Sequence, residues 1–61
     1  MKAEGFIIRF EHNDKEWFWG VHKNTDGYSD FVRADGYRKT KEEAERVVRA
    51  IVEALGGKVV K

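Results

Sequence analysis

The stretch from Thr40 to Gly57 constrains the fold more than any other, because it is the one part of the chain that reads as a helix and it is apolar along a single arc. Thr40-Lys41-Glu42-Glu43 has the form of a capping box. In such a box the Thr40 hydroxyl accepts from the Glu43 amide while the Glu43 carboxylate reaches back to the Thr40 amide. At about 100° per residue, Ala44, Val47, Val48, Ile51, Val52, Ala54 and Leu55 share one arc. Glu42, Glu43, Glu45, Arg46, Arg49 and Glu53 fill the opposite one. Glu42 with Arg46 and Glu45 with Arg49 stand in the favourable i, i+4 order. Gly56-Gly57 then supplies a left-handed C-terminal cap, so the spacing predicts a helix from Lys41 to about Leu55. A helix with one apolar arc buries one side of a sheet and leaves the other side bare.

Upstream, turn-forming residues at His12-Asn13-Asp14-Lys15, Asn24-Thr25-Asp26-Gly27 and Asp35-Gly36 separate three strand-like runs. Phe6, Ile8 and Phe10 alternate with Ile7, Arg9 and Glu11, which is the period of two that a half-buried strand needs. From Glu16 to Lys23, Trp17, Trp19 and Val21 alternate with Phe18 and His22, and the aromatic content favours a strand. The third run, roughly Tyr28 to Ala34, sets Val32 and Ala34 against Phe31 and Arg33. Short turns imply an antiparallel meander. The expected fold is therefore α+β: a three-stranded antiparallel meander with one amphipathic C-terminal helix across it, in a single domain spanning residues 1–61. Two readings stand for the tail Lys58-Val59-Val60-Lys61, a short edge strand or a frayed end.

The helix is assigned to the face bearing Phe6, Ile8, Phe10, Trp17, Trp19, Val21, Val32 and Ala34. That leaves Ile7, Phe18 and Phe31 on an uncovered face among Arg9, Glu11, His22 and Arg33. At 61 residues without cysteine, the chain has a small core and no disulfide to reinforce it, so a homodimer through Ile7, Phe18 and Phe31 is expected. No apolar run is long enough for a membrane span or a signal-peptide core, and a cytoplasmic location is the default expectation.

The segments Phe6-Ile7-Ile8, Trp17-Phe18-Trp19, Asn24 to Gly27, and Gly36-Tyr37 leading through Lys41 into the helix resemble the YegP-like domain of unknown function. The resemblance implies a three-stranded sheet plus helix that occurs as a tandem pair or as a homodimer, and it brings no activity with it. The stretch from Trp17 to Glu45, with Asp26-Gly27 and Gly36-Tyr37-Arg38-Lys39-Thr40-Lys41-Glu42-Glu43-Ala44, is also similar to the arm-DNA-binding domain of phage-type tyrosine integrases. That second resemblance implies a sheet laid in the major groove.

The net charge of +1 is far from a strongly basic signature, although it divides into −2 over residues 1–35 and +3 over the rest. A DNA-binding module would rely on Arg9, Arg33, Arg38, Lys39 and Lys41 as phosphate contacts, three of them near the helix start, where cations oppose the macrodipole. A third reading is a phage-type protein that offers its bare face to a different partner or inhibits it.

Catalytic candidates fail one by one, and no enzyme is expected. His12 and His22 fall on opposite sheet faces, so a shared metal site would require carboxylates from elsewhere, and each is expected as a solvent-exposed histidine. Asp14 and Asp26 belong to turns, and Ser29 has no histidine or lysine at a motif spacing. Thr40 is committed to the cap, and Gly56-Gly57 follows a helix where a phosphate loop would precede one. No cofactor is expected.

Overall fold

The computed structural model describes the backbone of residues 1–25 and 28–60 and the side chains of residues 1–23 and 32–60. Its elements in chain order are β1 (Lys2–Ala3), β2 (Phe6–His12), β3 (Trp17–Thr25), β4 (Tyr28–Arg38), α1 (Lys41–Ala54) and β5 (Val59–Val60). The order β2-β3-β4 forms an antiparallel three-stranded sheet, as the turn spacing predicts. The tail does pair: β5 runs antiparallel to β1, Ala3 opposite Val59, in a separate two-stranded sheet. That pairing covers the end of the core, where Ala3 is 5% exposed.

The β2–β3 hairpin closes through Asn13, whose amide donates to the Glu16 carbonyl at 3.0 Å and whose Oδ1 accepts from the Glu16 amide at 3.2 Å. His12 and Trp17 stack beside this turn with ring centroids 4.7 Å apart. Pairing is regular from Phe6 opposite Lys23 to His12 opposite Trp17. The Lys23 ammonium lies 4.8 Å from the centre of the Phe6 ring, so the pair at the end of the sheet is held by a cation–π contact.

β4 departs from expectation in two ways. Asp35-Gly36 is mid-strand and not a turn, and the strand continues to Arg38. The reason lies across the sheet: Gly36 is opposite Trp19, and a Cβ at Gly36 would stand 3.0 Å from Trp19 Cζ2. The glycine makes room for an indole. Second, Val21 pairs with Ala34 but His22 pairs with Val32, so Arg33 is an extra residue in a β-bulge. A one-residue insertion moves whatever precedes it to the other face. Val32 accordingly sits in the row of His22, 51% exposed, rather than under the helix.

The capping box forms with one change. The Glu43 amide donates to Thr40 Oγ1 at 3.1 Å, and the Thr40 hydroxyl faces Glu43 Oε1 at 3.2 Å, so the carboxylate engages the hydroxyl instead of the Thr40 amide. A cap of this kind contributes about 1 kcal/mol. At the other end Gly56 takes φ 85°, its amide donates to the Glu53 carbonyl at 3.0 Å, and the Gly57 amide donates to the Val52 carbonyl at 2.8 Å. These two bonds make a Schellman motif.

The buried core is Ala3, Trp19, Val21, Ala44, Val48 and Val52, with Phe6, Ile8, Phe10, Trp17, Ala34, Val47 and Ile51 packed around it. The sheet and helix members are those predicted to lie between the two, except that Val32 is absent; Ala3 and Val59, from the β1–β5 pair, join the core without having been expected there. Ala54 and Leu55 end up exposed: at about 100° per residue Ala54 lies well round the helix from buried Val52, and Leu55 is the C-cap residue.

Candidate interaction surface

α1 packs on the side of the sheet that carries Val21 and Trp19, and strict alternation sends the intervening residues to the other side. The ladder arranges them in three rows across β2, β3 and β4. The first row is Ile7, His22 and Val32; the second is Arg9, Gly20 and Asp35; the third is Glu11, Phe18 and Tyr37.

The third row is the most structured. The rings of Phe18 and Tyr37 meet edge to face with centroids 5.5 Å apart, a geometry worth about 0.5–1.5 kcal/mol beyond burial. Beside them, Arg9, Glu11, His12, Asn13, Phe18 and Tyr37 line a recess of about 270 Å³. Arg9 and Glu11, two apart on β2, form an ion pair through Arg9 Nη2 and Glu11 Oε1. In the centre, a Cβ at Gly20 would lie 3.4 Å from Phe18 Cε2 and 3.5 Å from His22 Nε2, so both rings lean in over the glycine.

Ile7 and Phe18 are half-buried on this face, where the alternation predicts them. Phe31 pairs by Cα with Lys23, and its side chain, expected here as the third apolar residue, lies outside the described residues. Tyr37, 49% exposed, and Val32 are the apolar members that the sequence reading missed. Tyr37 was hidden by treating Asp35-Gly36 as a turn, and Val32 by the bulge.

Of the five cations expected as phosphate contacts, Arg38, Lys39 and Lys41 stay together at the junction of β4 and α1, around Trp17, while Arg9 and Arg33 lie elsewhere on the sheet. Arg9 is ion-paired on the bare face, and Arg33 is the exposed bulge residue of β4. Arg38 donates from Nη1 to the Tyr37 carbonyl at 2.8 Å, and the Lys41 ammonium lies 5.7 Å from the centre of the Trp17 ring. Lys39 is exposed between β4 and α1. His12, on Trp17, and His22, beside Ile7, are on opposite sides of the sheet as expected.

Two further recesses flank the β1–β5 pair. One of about 320 Å³ is bordered by Met1, Glu45, Arg49, Val59 and Val60, and one of about 540 Å³ runs between Met1, Lys2, Ile7 and Val60. Among the described residues, no group of three or more histidines and carboxylates is placed to hold a metal ion, and no helix is long and apolar enough to cross a membrane. No family model, curated protein or solved structure matches the chain.

Proposed function

We propose that this chain is a non-enzymatic, self-associating interaction module whose bare sheet face docks against a second copy. One observation carries the reading: among the described residues one helix covers one side of the sheet, and the other side keeps Phe18 against Tyr37 and, beyond the Arg9-Gly20-Asp35 row, Ile7 and Val32. Among the described residues the fully buried large side chains are Val21, Val48 and Val52, a small core, and covering a second face adds apolar burial at about 25 cal/mol per Å².

Light scattering on a sizing column across a concentration series tests it. The mass should rise with concentration from 7.1 kDa toward twice that value. Phe18→Glu with Tyr37→Glu should hold it at the monomer value while circular dichroism shows the fold intact. A wild-type chain that stays monomeric up to millimolar concentration overturns the reading. So does a dimer indifferent to both substitutions.

A further inference from the structure

We propose that the two copies stack face to face about a two-fold axis running along β3, so that Arg9 of each copy stands over Asp35 of the other; this rests on the self-association reading above. The charge pattern of the face selects this arrangement from the two that strand-aligned symmetry allows.

A two-fold interface brings one patch onto itself. An in-plane axis along β3 keeps each row in place and exchanges the β2 column for the β4 column. The middle row, Arg9-Gly20-Asp35, then meets its own reverse: Arg9 faces Asp35 of the second copy, Asp35 faces its Arg9, and Gly20 lies on the axis. In the first row Ile7 faces Val32 of the second copy, apolar against apolar. In the third, Glu11 faces Tyr37 of the second copy, whose hydroxyl is a donor for the carboxylate. Phe18 and His22 each meet their own counterpart.

An axis perpendicular to the strands does the opposite, keeping columns and exchanging the first and third rows. Arg9 would then face Arg9, Asp35 would face Asp35, and Ile7 would face Glu11. That arrangement carries two like-charge contacts and sets a carboxylate against an aliphatic side chain, which disfavours it.

The Arg9 side chain is 53% exposed even while ion-paired to Glu11. The guanidinium has five N–H donors, so the contact through Nη2 leaves others free for a second carboxylate. Packed sheets align within about 30°, which keeps the facing rows within reach near the axis. From strand spacing and rise, the three rows span only about 10 by 14 Å between Cα positions. That footprint is well below the ~800 Å² per partner of a standard stable interface, so association is concentration-dependent and the charge pairs weigh heavily in it.

Charge reversal with sedimentation equilibrium decides the matter. Symmetry makes every substitution act twice, so Arg9→Glu alone and Asp35→Arg alone should each weaken self-association by about tenfold or more at low salt. The double variant Arg9→Glu/Asp35→Arg should return to within about threefold of wild type, because both cross-copy pairs are re-formed with reversed sign. Mixing the two single variants should give a heterodimer, which a misfolded chain cannot do. If the wild type dimerises but single reversals leave it unchanged, this arrangement is overturned; the self-association reading then stands or falls on the Phe18/Tyr37 variant. If the wild type never dimerises, both are overturned.

Discussion

Two glycines show how a single residue's space decides a structure. A Cβ at Gly57 would lie 2.4 Å from Phe6 Cε2 and 2.7 Å from Val52 Cγ1, so the residue that completes the helix cap also seats the start of β2 against the helix. At Gly36 the nearest approach is 3.0 Å, to the ring of a Trp19 that is 5% exposed. Gly57→Ala should therefore cost about 1–3 kcal/mol by overpacking, and Gly36→Ala somewhat less. Urea unfolding followed by Trp fluorescence measures both. Equal, negligible losses would mean that neither contact constrains the fold. These roles were not legible from the chain: Asp-Gly reads as a turn, and only the cross-strand neighbour reveals that the glycine makes way for an indole.

At the scale of elements, the helix was the most legible part. Its cap, its arc and its glycine stop are all local, since each depends on residues within a few positions of one another. The strands were legible as alternations, and the split of β2 and β3 into two faces follows directly from them. β4 was not, because a bulge is a relation between two strands and leaves no mark on either one's own pattern. The register makes a test available. Deleting Arg33 removes the extra residue while keeping Val32 opposite His22 and Ala34 opposite Val21, so the fold should survive with a loss under about 1 kcal/mol. Deleting Asp35 instead sets Ala34 opposite Gly20 and Arg33 opposite Val21, which turns a charged side chain toward the core, and should cost several-fold more. Equal urea midpoints for the two deletions would contradict the bulge.

At the scale of the whole molecule, the governing fact is that the described residues hold a three-stranded sheet with two faces and one helix to cover them. Binding of the native state to itself stabilises it by mass action, so the proposed dimer makes the melting temperature depend on protein concentration. Tm should rise by a few degrees over a hundredfold increase in wild-type concentration. Phe18→Glu/Tyr37→Glu should show no such rise. A concentration-independent Tm in the wild type would leave the bare face without a covering copy under those conditions.

The candidate surface was thus legible in part. Ile7, Arg9, Glu11, Phe18 and His22 reach the bare face by alternation alone, whereas Val32 and Tyr37 join them through a bulge and an extended strand. The amino-acid sequence by itself determined the helix, its two ends and the two-faced character of β2 and β3, because those follow from periodicity and from hydrogen bonds between near neighbours. Only the tertiary structure decided where β4 ends, which face Val32 takes, that Val59–Val60 pairs with Lys2–Ala3, and that Arg9 and Asp35 flank one glycine. Each of those is set by contact between residues far apart in the chain, where steric fit across the sheet overrides local preference.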